Sequence, residues 1–411
     1  MHQCLSCKNK KFNTLINLQN FPIYWGALAK KFIHRVKFYP LRIGECLNCG
    51  LVQQTKILSK RIMDKIYETE NYLCPSPEKS GMGTREILKF YNFFKKQNLK
   101  KGKILEIACY DCYLLKKMYK DDWDIHGCDP SIDTTNFLKN FPKKRVKKKF
   151  FDKSIYPANS FDVIIFRNLL EHVEDLNHFL SEVSYALKDN GQIFIDVPNM
   201  KEIGKIGGFG LFFHQHLSYF TISTISKLLE NNNFIVSDYY EGRPNLFVKA
   251  KKINGEIKNR KKFSLKSNNL ENSLKVKKKV LSIFKNKKNK KIILFGASAL
   301  CTTIVNFLSV TDRKKIILVS DNDKEKFNKV LCGSNFIIKE PSILKQIDFD
   351  VILICSYFFI EEIIKLNHLN INPFIYNGIK ILPVTTFNLQ INKLFKNIII
   401  NKKTDLEWCN E

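Results

Sequence analysis

The chain has 411 residues and a hydrophobic fraction of 44%, too long for one domain of roughly 150 residues and apolar enough to be globular. It carries 68 Lys and Arg against 39 Asp and Glu, a formal net charge of +29. No apolar run approaches the roughly 20 residues that span a bilayer, and Met1-His-Gln-Cys4 opens without the basic and apolar segments of a secretion signal, so a cytoplasmic protein with no membrane partner is expected.

Residues 1–74 hold two cysteine pairs, Cys4-x-x-Cys7 and Cys46-x-x-Cys49-Gly50. In an intracellular chain such pairs point to metal rather than to disulfides. Four thiolates from Cys4, Cys7, Cys46 and Cys49 suit tetrahedral Zn2+, and a site closed by four Cys is structural. The 38 residues between the pairs must carry structure of their own. A helix is expected over 61–67, then Asn71-Tyr72-Leu73, with Pro75 and Pro77 breaking the pattern. The apolar face of Ile87, Leu88, Phe90, Tyr91 and Phe94 predicts a helix over 80–98.

Residues 103–131 read as strand, turn, helix, strand. Ile104, Leu105, Ile107 and Ala108 form a short apolar run of the kind that builds a buried parallel strand. Cys109 to Cys112 makes the turn, and Leu114, Leu115 and Met118 recur at helical spacing. A second strand, Ile125 to Cys128, ends on Asp129, where doubly wound folds bind ribose hydroxyls. Glu106 and Asp129 are thus candidate ligand residues; equally, Glu106 can be a strand-end carboxylate and Asp129 a turn former before Pro130.

Phe161 to Phe166 predicts a buried strand, 169–187 a helical region, Asn190-Gly191 a tight turn and Gln192 to Val197 the next strand. A Gly-rich loop over 204–210 leads into Phe213-His-Gln-His216. Thr221 is the expected N-cap of a helix through Leu229, and 234–240 and 245–250 are antiparallel strands. These elements, 75–250, make one α/β domain.

Residues 251–290 are basic and read as a linker plus an exposed helix over 272–284. The lysines here and at 143–149 are not interleaved with stacking aromatics, so nucleic acid is not an expected partner. A solvated Lys-rich surface, with some attraction for an anionic small substrate, accounts for the charge. From 291 to 411 strands at 291–295, 316–321, 351–355 and 374–376 alternate with helices, which predicts a second parallel sheet. Gly296-Ala-Ser-Ala299 lacks the glycines of a dinucleotide fingerprint. Asp321 nevertheless ends the second strand of this unit, where a ribose acceptor would sit, so a nucleotide there stays open.

The order of these parts resembles the S-adenosylmethionine-dependent sugar C-methyltransferases. The likeness rests on Cys4, Cys7 and Cys46 to Val52, on the Tyr-rich segment 67–72, on Glu106-Ile-Ala-Cys-Tyr-Asp-Cys112, on Asn168 and His172, and on Phe213-His-Gln-His216. The resemblance implies an α/β protein with a small zinc module, a class I methyltransferase Rossmann-like domain and a second Rossmann-like domain, monomeric or homodimeric, that methylates a nucleotide-linked keto-deoxysugar. It implies that Glu106, Ala108, Tyr110, Asp111, Asp129 and Asn168 hold S-adenosylmethionine, that His216 is the base, and that Asn168, His172 and Tyr72 line the site.

A carbon nucleophile would require a base and stabilisation of the enolate oxygen. Three residues depart from the family pattern: Cys112 replaces a glycine, and Phe213 and Gln215 replace Tyr and Glu. Transfer to oxygen or nitrogen, a degenerate scaffold, and an RNA-binding methyltransferase therefore remain alternatives. A surface or packing role for His216 and His172 remains open as well.

Overall fold

Two long strands fill the interval between the cysteine pairs. β1 (Phe12–Pro22) and β3 (Phe38–Cys46) pair antiparallel, from Phe12 opposite Cys46 to Pro22 opposite Phe38, with the short β2 (Ala27–Leu28) in the connection. β4 (Val52–Gln54) adds to β3 on its other side. Along β3, Leu41 and Ile43 are buried while Arg42 between them is exposed, the two-residue period of a strand with one wet face. The computed structural model describes residues 3–63, 81–131, 145–205, 208–242, 244–253, 271–355 and 380–383.

The middle of the chain forms a seven-stranded sheet. Its elements in chain order are α1 (Gly81–Lys95), β5 (Lys103–Ile107), α2 (Tyr113–Lys120), β6 (Asp124–Cys128), β7 (Val146–Lys147), β8 (Phe161–Arg167), α3 (Leu176–Ala186) and β9 (Leu187–Pro198). After α4 (Met200–Lys205) and β10 (Ser218–Tyr219) come α5 (Ile222–Glu230), β11 (Phe234–Glu241) and β12 (Asn245–Lys252). The strand order is β11-β12-β9-β8-β5-β6-β7, with β12 antiparallel to both neighbours and the strands from β9 to β7 parallel. That is the Rossmann-like class I methyltransferase arrangement. The chain reverses its direction of winding at β5, so the carboxyl ends of β5, β6 and β8 border the crevice where such sheets bind ligands. Thr221 caps α5, its side chain accepting from the Thr224 amide in a reciprocal capping box.

Asn190-Gly191 is not a turn between two elements. Both residues lie inside β9, where the register jumps from Phe161 opposite Leu187 to Val163 opposite Gln192 and Asn190 takes φ +60°. The same tolerance of the left-handed region that makes Asn a turn residue lets it carry a bulge in a continuous strand.

The last part pairs β13 (Ile292–Phe295) with β14 (Ile316–Ser320) and β17 (Val351–Ile354), flanked by β16 (Ile338–Lys339) and β18 (Lys380–Pro383), all parallel; β15 (Val330–Leu331) stands apart from this sheet. The strand expected at 374–376 lies outside the described residues. The helix α6 (Glu271–Lys285) is not an exposed one. Val276, Val280, Ile283 and Phe284 are buried, an i, i+4, i+7, i+8 stripe that the surrounding lysines mask in any average over the window. α7 (Ala299–Phe307) follows β13, capped by Ser298.

The N-terminal strands join the two α/β parts. β10, from the middle part, pairs with β4 and completes the first sheet. β2 pairs with β15 of the last part. One apolar cluster combines Phe21, Leu41, Ile43 and Val52 with Phe212, Phe213 and Tyr219 and with Val280, Leu300 and Ile304. At Gly210 a Cβ would stand 2.5 Å from the Leu300 Cα, so only glycine admits the approach of the middle part to α7.

Candidate active site

The four cysteines of the N-terminal segment converge. The Sγ atoms of Cys4 and Cys49 are 3.5 Å apart and those of Cys7 and Cys46 3.6 Å, and all four lie within 4.8 Å of one another. The two pairs are built alike. The Cys4 amide donates to the Asn9 carbonyl and the Cys46 amide to that of Leu51; the Lys8 and Gly50 amides donate to the carbonyls of Cys4 and Cys46. Lys8 and Gly50 both take positive φ, +60° and +77°. Contact with the Cys49 thiol pulls Cys4 down to about 5, toward the thiolate form that binds metal.

At the end of β5 the backbone turns through Ala108, Tyr110 and Cys112 at φ +59°, +43° and +57°. The turn thus adopts without glycine the left-handed conformation that costs an L-residue roughly 1–2 kcal/mol. It is held from below and from the side. The amides of Ala108 and Cys109 donate to the Cys128 carbonyl, and the Tyr110 amide donates to Asp129 Oδ2 at 3.0 Å. Asp129 Oδ1 accepts from the Ser131 amide and hydroxyl at 2.8 and 2.6 Å. A carboxylate offers about four lone-pair sites, so Asp129 keeps acceptor capacity on Oδ2. Asp111 accepts from the Tyr113 amide at 3.0 Å.

Glu106, Asp111 and Asp129 are all buried, and Glu106 Oε2 has no hydrogen-bond partner among the described residues. Burial lifts the Glu106 carboxyl to about 8, opposed by Arg167 and aided by Asp111 and Asp129. Arg167 itself pairs with Asp196 at 2.8 Å, and Asn245 donates to the other oxygen of that carboxylate at 2.6 Å. Asn168 follows β8 at φ +46°, exposed, its amide donating to the Asp196 carbonyl. The turn, Asp129 and Asn168 thus stand at the carboxyl ends of adjacent strands, β5, β6 and β8.

Two imidazoles meet beyond Asn168. His172 ends a 3-10 turn over Leu170–His172, and its Nδ1 lies 2.7 Å from the Gln215 carbonyl. The rings of His172 and His216 stand 5.0 Å apart and edge-on, with Phe213 4.2 Å from His216. Burial lowers His172 to about 4; burial and then His172 hold His216 well below the usual imidazole range. Both rings are neutral at pH 7 and keep a lone pair. His214 between them in sequence is a core residue, 1% exposed, with Nε2 3.4 Å from the Phe21 carbonyl. Tyr72 lies outside the described residues.

The two family departures beside His216 have defined roles. Phe213 packs on the His216 ring and on Trp25, 5.4 Å away, and Gln215 Oε1 accepts from Trp25 Nε1 at 2.8 Å. Three residues of this site escape sequence reasoning. Trp25 and Gln54 come from the four-cysteine module and carry no local signal. Glu171 did have one: it is a carboxylate in the apolar run Leu169-Leu-Glu-His172 and is 1% exposed. In the last part, Asp321 accepts from the Ala297 amide at 2.7 Å, the Asp323 amide at 2.9 Å and Lys326 Nζ at 2.9 Å. It repeats the bond between Asp129 and its turn.

Residues 82–238 match a family described as a methyltransferase domain, and residues 260–373 one described as a C-methyltransferase C-terminal domain. The C-methyltransferase NovU of Streptomyces niveus is 32% identical over 74 residues, 18% of this chain and 18% of that protein. The ubiquinone biosynthesis O-methyltransferase of Pelagibacter ubique (strain HTCC1062) is 34% identical over 106 residues, 25% of this chain and 44% of that protein. The matches therefore span less than half the length of these curated relatives. Among solved structures, the Burkholderia thailandensis 1,6-didemethyltoxoflavin-N1-methyltransferase with bound 1,6-didemethyltoxoflavin and S-adenosylhomocysteine is 11% identical. It covers 51% of this chain and 98% of its own, at a TM-score of 0.36. An S-adenosylmethionine-dependent methyltransferase from Mesorhizobium loti is 16% identical, covering 37% and 92%, at a TM-score of 0.31.

Proposed function

For a chain that belongs to the S-adenosylmethionine-dependent methyltransferases with a C-methyltransferase C-terminal domain, we propose transfer of a methyl group to carbon on a nucleotide-linked keto-deoxysugar, through an enolate formed by His216. The observation that carries this reading is the pair of neutral imidazoles, His172 and His216, beyond the carboxyl end of β8. A base must be unprotonated to take a proton alpha to a ketone, and burial keeps His216 so at neutral pH.

The turn residues fit the cofactor. Three buried carboxylates, one with an orphaned oxygen, suit a ligand that carries cationic centres and ribose hydroxyls. Asp129 would accept from the ribose, and Ala108, Tyr110 and Asp111 would border the methionine end. When bound, S-adenosylmethionine supplies the activated methyl. The chain has to align the acceptor, keep water from it and take up one proton. His216 takes that proton, and His172 is fixed through its Nδ1 by the Gln215 carbonyl. Asn168 would contact cofactor and sugar. The four cysteines hold a structural Zn2+.

Transfer to oxygen is the second reading. Phe213 and Gln215 remove a hydroxyl and a carboxylate from beside the base, and one of the matched curated relatives is an O-methyltransferase. Isothermal titration of the zinc-loaded protein with S-adenosylhomocysteine tests both readings, since absence of binding sinks them together. A mass-spectrometric screen of nucleotide sugars separates them: the methyl gained on a carbon alpha to a ketone supports the first, on a hydroxyl the second.

A further inference from the structure

We propose that Glu171 is the positioning residue for His216, its carboxylate holding the proton on the buried Nδ1 so that the other ring nitrogen serves as the base. The proposal deepens the reading above and rests on it for the role of His216. A histidine base needs one nitrogen fixed by an acceptor, because the hydrogen bond on one side of the ring sets the tautomer presented on the other. The Gln215 side chain, which replaces a carboxylate of the family, is engaged by Trp25. Glu171 is placed to take over. Its Oε2 and His216 Nδ1 are both buried and both without a hydrogen-bond partner among the described residues. Donor and acceptor atoms of Glu171, His172 and His216 lie within 4.8 Å of one another, a gap that one side-chain rotation or one water closes. The backbone already joins the two segments, since the Leu217 amide donates to the Glu171 carbonyl at 2.7 Å. Glu171 is 1% exposed, whereas the His172 side chain keeps 17% of its surface. The carboxyl therefore lies behind the imidazoles and reaches substrate only through them.

Among the described residues, both imidazoles stand close to it. His172 Nε2 is 3.9 Å from Glu171 Oε1 on the same turn. Arg167 on β8 and Asp196 on β9 also act on Glu171, but they pair with each other at 2.8 Å. Tyr219 on β10 feels the Glu171 charge, and His216 sits on the facing loop. Burial, followed by these smaller effects, lifts Glu171 to about 8. Protonated, Glu171 donates to Nδ1 and leaves the proton of neutral His216 on Nε2. Ionised, it accepts from Nδ1–H and leaves Nε2 with the lone pair, so the tautomer competent as a base is the one gained as Glu171 ionises.

The test is the tautomer of His216, read by two-bond 15N–1H correlation in zinc-loaded protein labelled with 15N-histidine. The His216 signal is identified by its loss in His216→Asn. The expected result is a change from Nε2–H to Nδ1–H with a midpoint near pH 8 in the native chain. No such change is expected in Glu171→Met or Glu171→Gln, neither of which titrates at 171. A single Nε2–H tautomer of His216 throughout about pH 6–10 in the native chain, or the same switch in both variants, overturns the proposal. S-adenosylhomocysteine affinity within about threefold of native shows that the variants are folded, and a variant that fails this is set aside for the other. The readout needs neither substrate nor turnover, so a native protein that binds no S-adenosylhomocysteine defeats the proposed function separately. Once a substrate is in hand, Glu171→Met removes the rise in kcat through about pH 8 that the native chain shows, with KM unchanged.

Discussion

The Nε2 of Gln54 lies 2.8 Å from the carbonyl oxygen of His216. The same amide group reaches the carbonyls of His214 at 2.8 Å and Phe213 at 3.2 Å, so one side chain at the end of β4 shapes the loop that carries the candidate base. Replacing it with Leu leaves these carbonyls buried without their donor, at a cost of about 1–3 kcal/mol. Urea denaturation of Gln54→Leu should show that loss, and hydrogen exchange should quicken over 213–217 while S-adenosylhomocysteine affinity holds. Unchanged exchange in that loop would count against the clamp.

The metal prediction follows from the same connection. The protein should contain one zinc per chain, and Cys49→Ser should lower that content severalfold. Because β4 pairs with β10, the damage should reach Ser218 and Tyr219 as faster exchange, and the melting temperature should fall. Zinc well below one per chain in the native protein refutes the assignment. Binding free energies of small zinc sites, on the order of 10–16 kcal/mol, are effectively folding free energy, so the loss should be large.

Ala108 offers the cleanest probe of the strained turn. Its φ of +59° costs an L-residue roughly 1–2 kcal/mol, and glycine there costs about 0.4–1 kcal/mol through the unfolded chain. Ala108→Gly should therefore stabilise the protein by about 0.5–1 kcal/mol, read as a higher urea midpoint. A lower midpoint would mean that the Ala108 methyl packs to greater effect than its backbone strains.

Asp129→Ala should weaken S-adenosylhomocysteine binding about tenfold or more, the value of a hydrogen bond to a charged group. The variant also loses the acceptor for the Tyr110 amide, so a modest loss of stability accompanies it. Equal affinity in calorimetry would remove Asp129 from the ribose.

Stability of the ligand-free protein should fall as pH rises between about 6.5 and 8; from about 4.5 to 6.5 the buried imidazoles of His172, His214 and His216, held below their free range, oppose the carboxyls. Glu106 and Glu171 both have carboxyls raised from 4.5 to about 8. In that window the folded state holds protons that the unfolded state has released, so unfolding is favoured as pH increases, by about 1.4 kcal/mol per pH unit per group. Below pH 4.5 both states are protonated and the full contribution is present. Glu106→Gln should flatten the urea-derived slope by one such group, and an identical slope would show that Glu106 is ionised in the folded chain.

Much of this was legible because it is local. Cysteine spacing marked the thiol cluster, and continuous apolar runs marked the strands of both parallel sheets. The position after a strand end marked Asp129 and the carboxylate inside an apolar strand marked Glu106, since a parallel sheet delivers the carboxyl ends of its strands to one edge whatever the loops do; Asn168 came from the resemblance alone. Local reading failed where a residue's use depends on a distant partner. The stripe Val276, Val280, Ile283 and Phe284 was hidden by its lysines, and Asn190-Gly191 became a bulge once β8 fixed the register of β9.

The sequence by itself determined the two α/β units, the four-thiol module and the strand-end carboxylates, because period, spacing and turn chemistry act over a few residues. Only the tertiary structure decided that the module between the cysteines reaches into the site. Trp25 engages Gln215, Gln54 gathers the loop around His216, and β10 closes a sheet begun some 200 residues earlier. It also decided that Glu171 is buried beside His172 and His216 and that burial holds both imidazoles below their usual range. Burial and the pairing of distant segments set these properties, and neither is written in any one stretch of the chain.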